Sequence, residues 1–216
     1  ANASANYWGT ADGPGGSGFG TGSAINDLIS YTSWYDTSAM DHLVYGGVLV
    51  DDDFNDTTPG WGLYAFTNIQ QGVDAVGIGG TVSVNPGTYV EQVEITKDLL
   101  LLGTASGVVI QSPAVLPLSF TTSAINKPVV YVHGAPSVTL SNIVVDGFRL
   151  GADNYRFMGI AYYNAGGAVL STEVKNITND PPNGSQHGIG VAVLNTDSVA
   201  RSFELMDSYL HDCQKN

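Results

Sequence analysis

The densest set of hard oxygen donors in the sequence is the run Asp51-Asp52-Asp53-Phe54-Asn55-Asp56. Asp51, Asp53, Asn55 and Asp56 set carboxylate and amide oxygens around a polar turn that ends in Pro59-Gly60. With Thr57 or a backbone carbonyl they would supply the six or more oxygens that calcium takes. The run is not an EF-hand loop, since it has no glycine at its sixth position and no glutamate at its twelfth. The plainer alternative is a solvated acidic turn. A second constellation, Asp146, Arg149, Asp153 and Arg156, places two carboxylates and two guanidinium groups close together in sequence. A carboxylate-bound cation with a basic side chain beside it is what proton abstraction from an acidic sugar requires; the alternative is a loop with ordinary ion pairs. Tyr155, Tyr162, Tyr163 and Trp61 offer aromatic faces on which a sugar ring would stack. Tyr162 and Tyr163 are consecutive, so on a strand one of them points inward and the other outward.

The composition narrows the field. Seven basic and twenty acidic side chains give a net charge of −13 in 216 residues, which argues against nucleic acid or an anionic membrane as partner. It also weighs against a groove for an acidic polymer, which usually needs basic residues. With 43% hydrophobic and 12% charged residues the chain has the material for a sizeable core. No stretch approaches the roughly 20 apolar residues of a membrane span; the densest run is Leu99 to Leu102. The single cysteine, Cys213, excludes an internal disulfide framework and a Cys-based zinc site, and its plain role is that of a small buried hydrophobe. Few lysines, much Gly, Thr, Ser and Asn, and Asn-x-Ser/Thr sequons at Asn2, Asn55, Asn176 and Asn183 lead us to expect an extracellular or cell-surface protein.

These residues need elements to hold them. Residues 1–40 are glycine-rich and turn-like around Gly13-Pro14-Gly15-Gly16, yet carry Tyr7, Trp8, Phe19 and Trp34, which are costly to leave in water. Residues 41–80 hold a strand-like Leu43 to Val50, the acidic turn and one helix. That helix is predicted over Phe66 to Val76, because Phe66, Ile69, Val73 and Val76 recur at spacings of three and four, with Thr67 as N-cap and Gly77 as stop. From residue 81 to 216 everything reads as strand and turn, including Thr81 to Asn85, Val93 to Leu102, Val108 to Gln111, Val129 to His133 and Val138 to Val145. A repeat underlies them. Leu140 to Asp146 aligns with Leu170 to Asn176 at an offset of 30, Val130 to Val132 aligns with Ile160 to Tyr162 at the same offset, and Ile189 follows Ile160 by 29. Two different strands sharing one period predict coils of several strands, a β-solenoid, with loops added at Ser112 to Pro128 and at Asn195 to Arg201.

The predicted helix, then Gly79-Gly80-Thr81-Val82-Ser83-Val84-Asn85-Pro86-Gly87-Thr88-Tyr89-Val90-Glu91, then Leu99 to Gly103, resembles the opening of right-handed parallel β-helix proteins of the pectate-lyase-like superfamily, and is close to the β-helix domains of large bacterial and archaeal surface proteins. The resemblance covers roughly residues 50–216. It implies an all-β, right-handed parallel β-helix whose amphipathic helix (Phe66, Ile69, Val73, Val76) caps the open end. It is weak for chemistry. Gly87-Thr88-Tyr89-Val90-Glu91 matches an early pectinesterase pattern, but the Gln-Asp pair, the Asp-Phe-Ile-Phe-Gly and the Gly-Arg-Pro-Trp of that family are missing, so Glu91 reads as part of a structural turn. His187-Gly188 and Asn195-Thr196-Asp197 echo polygalacturonase motifs in the wrong order, with no Arg-x-Lys after them.

Asn6-Tyr7-Trp8-Gly9-Thr10-Ala11-Asp12-Gly13-Pro14, followed by Tyr31-Thr32-Ser33-Trp34, resembles the closing segment of the same kind of domain, while Gln214 to Asn216 falls in mid-coil by the family pattern. We therefore expect head-to-tail self-association. Tyr7, Trp8, Phe19 and Trp34 of one copy would cover the end that carries Cys213 in the next, as a filament subunit or as tandem surface modules in a longer chain. The function expected is a non-enzymatic, extracellular structural or adhesive β-helix, with calcium as cofactor and polysaccharide as partner. A lyase or hydrolase acting on acidic polysaccharide is the alternative.

Overall fold

The computed structural model describes the whole chain except Ser17, Phe19, residues 27–31, Asp41, residues 183–187 and Asn216. Phe19, His187 and the sequon at Asn183 therefore lie outside the described residues. The protein is predominantly β, with parallel sheets and one short α-helix.

Three parallel sheets carry the strands. The first runs through Leu43–Val50, Val76–Val84, Leu99–Gly103, Val138–Ser141, Gly167–Leu170 and Phe203–Met206, with Ser33–Tyr35 added antiparallel at its edge. The second holds Gly87–Val90, Val108–Gln111, Val144–Asp146, Glu173–Lys175 and Tyr209–His211. The third holds Val93–Ile95, Ile125–His133, Phe157–Tyr163 and Ile189–Leu194. From Val76 on, the chain visits first, second and third sheet in turn and then returns to the first.

Alternation along each strand points one side chain of every two inward. Parallel pairing then stacks like on like: Val82, Leu101, Leu140 and Val169 are in register in the first sheet, and Tyr89, Ile110, Val145 and Val174 in the second. Val93, Val130 and Ile160 do the same in the third, and all these residues belong to one continuous apolar core.

The register corrects the repeat. The structure pairs Leu140 with Val169 and Val145 with Val174, an offset of 29 where the sequence alignment gave 30, and pairs Ile160 with Val191, not with Ile189. Parity decides it, because a slip of one residue would turn buried Val169 outward and Leu170 inward. Two long strands expected from the apolar runs are each divided by a corner. Val93–Ile95 and Leu99–Gly103 lie in different sheets, as do Val138–Ser141 and Val144–Asp146. The bend between the latter pair sits at Asn142, with a φ of 55°, and the same corner one turn on is Ser171 at 48° and then Asp207 at 50°. Asn142 Nδ2 also donates to the carbonyl of Gly103 below it, at 2.8 Å.

The helix is shorter than predicted. It spans Ile69–Ala75, capped by Asn68, whose Oδ1 accepts from Gln71 N at 2.9 Å, and not by Thr67. Phe66 is drawn into the short strand Ala65–Phe66 beside Leu49–Val50, and Val76 opens the next strand. Phe66, Ile69, Val73 and Val76 are nevertheless all buried in the core. Gly72 permits the contact: a Cβ there would lie 2.7 Å from Val50 Cγ2. A distant carboxylate completes the N-terminus. Glu91 accepts from Ile69 N at 2.7 Å through Oε1 and from Gln70 N at 2.9 Å through Oε2.

Of the amino-terminal segment, expected to cover a neighbouring copy, Ser33–Tyr35 pairs antiparallel with this chain's own Leu43–Val50 strand, and Asn6 bridges to Trp34. Trp34 is fully buried, its Nε1 donates to Ala11 O at 2.9 Å, and its ring occupies the space over Gly13 and Gly77. Tyr7 and Trp8 are half-buried in the same segment.

Candidate functional site

The acidic turn is held by its own hydrogen bonds. Asp51 Oδ1 accepts from Asp53 N at 3.0 Å and Oδ2 from Asn85 Nδ2 at 2.8 Å, while Asn55 Oδ1 accepts from Thr57 N and Thr57 Oγ1 at 3.0 and 2.6 Å. These are the local caps that Asp and Asn supply in turns. Among the described residues no three His, Cys, Asp or Glu side chains are grouped to hold a metal ion, and Asp53 and Asp56 are exposed.

Asp146, Arg149, Asp153 and Arg156 are not brought together as ion pairs among the described residues. Asp146 caps a corner, accepting from Phe148 N at 2.8 Å and Asn176 Nδ2 at 2.9 Å. Arg149 stands in the left-handed region at the start of a 3-10 turn, Asp153 is exposed beyond it, and Arg156 Nη1 donates to Ser123 Oγ at 3.1 Å. Of the consecutive tyrosines, Tyr162 is the inward one: it is fully buried and donates to Val138 O at 2.9 Å, and burial pushes its hydroxyl pKa up. Tyr163 faces outward, where its ring stacks on Phe120 at 4.7 Å, and Phe120 in turn stacks on Tyr131. Burial, with the neighbouring Tyr163 and Glu94, pushes the Tyr131 hydroxyl up to about 12. The loop at Ser112 to Pro128 thus spends part of the aromatic surface on its own packing. Tyr155 is exposed. Cys213 is half-buried, and burial raises its thiol pKa.

A wide cleft lies elsewhere, where the 57–64 loop meets the helix. It encloses about 570 Å³ between Trp61, Leu63, Tyr45 and Leu43 on one side and Gln71 and Asp74 of the helix on the other, with His42 at its edge and Phe66 in its base. The loop is rigid by construction. The N–H groups of Leu63, Tyr64 and Ala65 all reach the carbonyl of Gly60 at 2.9 to 3.0 Å, and Gly60 and Gly62 adopt φ values of 81° and 72° that suit glycine. On this frame Trp61, Leu63 and Tyr64 stay exposed, and Tyr64 leans on Tyr45 at 5.4 Å. A second hollow of about 460 Å³ is lined by that tyrosine pair together with Leu49, Ser83 and Thr32. The sequence offered Trp61 as a stacking surface but gave no sign of Tyr45, Gln71 or Asp74, which reach it only through the stacking of separate strands and the helix.

No protein-family model, no curated protein and no solved structure matches this chain. Among the described residues no helix is long and apolar enough to cross a membrane.

Proposed function

We propose that the chain is a right-handed parallel β-helix serving as a non-enzymatic, extracellular structural and adhesive module. The observation that supports this reading most directly is the cyclic passage of the chain through three parallel sheets, each strand from Val76 on pairing with its counterpart in the next passage, at 29 to 31 residues in the middle passages and 19 to 39 elsewhere. Right-handed crossovers are the rule for parallel strands. Such a body is stiff, because each coil is bonded along three faces to the next and stacks its apolar side chains on identical positions. The acidic, lysine-poor composition and the exposed aromatic groups on a rigid loop suit a scaffold that presents a binding surface outside the cell.

Two measurements test it. Outward-facing Thr139 and Ala168 are in register on adjacent strands, so Thr139→Cys with Ala168→Cys, in a Cys213→Ser background, is expected to form a disulfide across coils about 4.8 Å apart. Failure to cross-link would remove the stacked-coil reading. No reducing ends are expected to appear from pectin, alginate or chondroitin, with or without calcium, and clear turnover would replace the structural reading with that of a polysaccharide lyase or hydrolase.

A further inference from the structure

We propose that the cleft between the 57–64 loop and the helix binds a neutral oligosaccharide, with the Trp61 ring as its stacking face. The inference rests on the adhesive reading above and says what the module would hold. Its volume, about 570 Å³, is in the range of small-ligand sites. Its composition is that of a sugar site. Pyranoses have apolar C–H faces and a rim of hydroxyls, and here an exposed indole and the Tyr45 ring are joined to polar groups with bonding capacity left over among the described residues.

Among the described residues the Trp61 indole N–H and the Gln71 side-chain amide have no protein partner. His42 uses Nδ1 for Asp36, at 2.8 Å, and keeps Nε2 open. The Asp74 carboxylate accepts from Gln70 Nε2 at 2.8 Å through Oδ1, leaving Oδ2 for a hydroxyl. These groups can both donate to and accept from hydroxyls around one ring. The aromatic wall is set in advance, because the loop that carries it is tied to Gly60 O by three N–H groups, so little ordering entropy is lost when the ligand arrives.

Charge selects the class of sugar. A carboxylate in the cleft and a net charge of −13 on the chain disfavour uronates and sulfated sugars. The second hollow, of about 460 Å³, shares Tyr45 with the first. The Tyr45 ring thus serves two adjoining hollows, and this favours a chain of several sugar units over a single one.

The test is calorimetric titration of the intact chain with cellopentaose, chitopentaose, tetragalacturonate and a proline-rich decapeptide, each at about 1 mM. Binding of at least one neutral pentasaccharide is expected, weakened about tenfold or more by Trp61→Ala and less by Trp61→Phe, which keeps a ring. Gln71→Ala is expected to weaken it by about threefold to tenfold. Asp74→Asn is expected to leave the neutral sugar bound and to lessen the discrimination against tetragalacturonate. Trp61 is exposed, so an unchanged circular-dichroism melt of its variants separates loss of binding from loss of fold. The proposal is overturned if neither neutral sugar binds, if binding survives Trp61→Ala unchanged, if only tetragalacturonate binds, or if the decapeptide binds and the sugars do not. Turnover of a bound sugar would sink the non-enzymatic reading and leave the cleft assignment standing, whereas absence of binding together with the expected cross-link between coils would do the reverse.

Discussion

Trp34 and Trp61 lie toward the same end of the molecule and are used in opposite ways. Trp34 is 0% exposed, bonds its indole N–H to Ala11 O, and sits where Gly77 leaves room, a Cβ there falling 2.4 Å from its ring. Trp61 is 37% exposed, keeps its N–H open among the described residues, and stands on a loop that is ordered for reasons unconnected with its ring. The first indole is satisfied by the fold and ties Ala11 and Gly13 to the first sheet at Gly77. The second is satisfied by nothing among the described residues. Ordered structure beneath an unsatisfied aromatic group is the mark of a binding surface, while a satisfied buried one is a matter of stability.

The largest effect tests the buried member of the pair. Trp34→Ala is expected to cost about 3–5 kcal/mol in urea unfolding, the range for removing a fully buried large aromatic side chain. Limited proteolysis should then release the amino-terminal segment before the parallel sheets are cut. A cost below about 1 kcal/mol would mean that this segment is held by something other than its tryptophan.

The same contrast explains what could be read in the sequence. The parallel strands were legible because each apolar position repeats its neighbour's environment: Val130 and Ile160 align at 30 in both sequence and structure. The error of one residue at Leu140 arose in a turn. Val132 to Val138 is six residues, but their partners Tyr162 and Gly167 are five apart, and no side-chain pattern marks a shortened loop. The corner residues Asn142, Ser171 and Asp207 left only a weak trace, small polar residues with no common identity. The end of the molecule was less legible still. Glu91 read as a turn residue, because nothing local links it to a helix 22 residues earlier. The cleft joins Tyr45, Trp61 and Gln71 through tertiary packing alone.

Glu91 gives the next effect. Burial pushes its carboxyl above the usual range, and the N–H groups of Gln70 and Ile69 pull it back. Glu91→Ala would leave two partly buried helix donors without an acceptor, at a cost of about 1.5–3 kcal/mol, with hydrogen exchange accelerated at Ile69 and Gln70. Exchange unchanged at both amides would show that water replaces the carboxylate without loss. Trp61→Ala, by contrast, is expected to change stability by no more than about 0.5 kcal/mol, since its ring is not packed into the core. If it costs as much as Trp34→Ala, the loop is structural and the division between the two indoles fails.

The smallest effect concerns the far edge of the second sheet, where His211 joins two strands. His211 Nε2 meets Glu173 Oε1 at 2.9 Å and Nδ1 meets Asp212 Oδ2 at 2.7 Å, Lys175 Nζ shares the same Glu173 oxygen at 3.0 Å, and Tyr209 stacks on the imidazole at 4.4 Å. The hydrogen bond from His211, then that from Lys175, holds the Glu173 carboxyl below its usual range, and the bonds to Glu173 and Asp212 raise His211. A lowered carboxyl contributes stability above its unfolded value of 4.5, lost as pH falls through the folded value. A raised imidazole contributes below its unfolded value of 6.5, lost as pH rises through the folded one. Both contributions are therefore present together between 4.5 and 6.5. The groups are partly exposed, so solvent reduces the gain to about a few tenths of a kcal/mol. His211→Gln should abolish the decline on the alkaline side and only diminish the acid one, because Lys175 still holds Glu173. Urea midpoints of the two proteins, compared from about pH 3 to about 9, read the difference directly; a difference that does not vary with pH would show that the imidazole packs on Tyr209 without sharing its charge with Glu173.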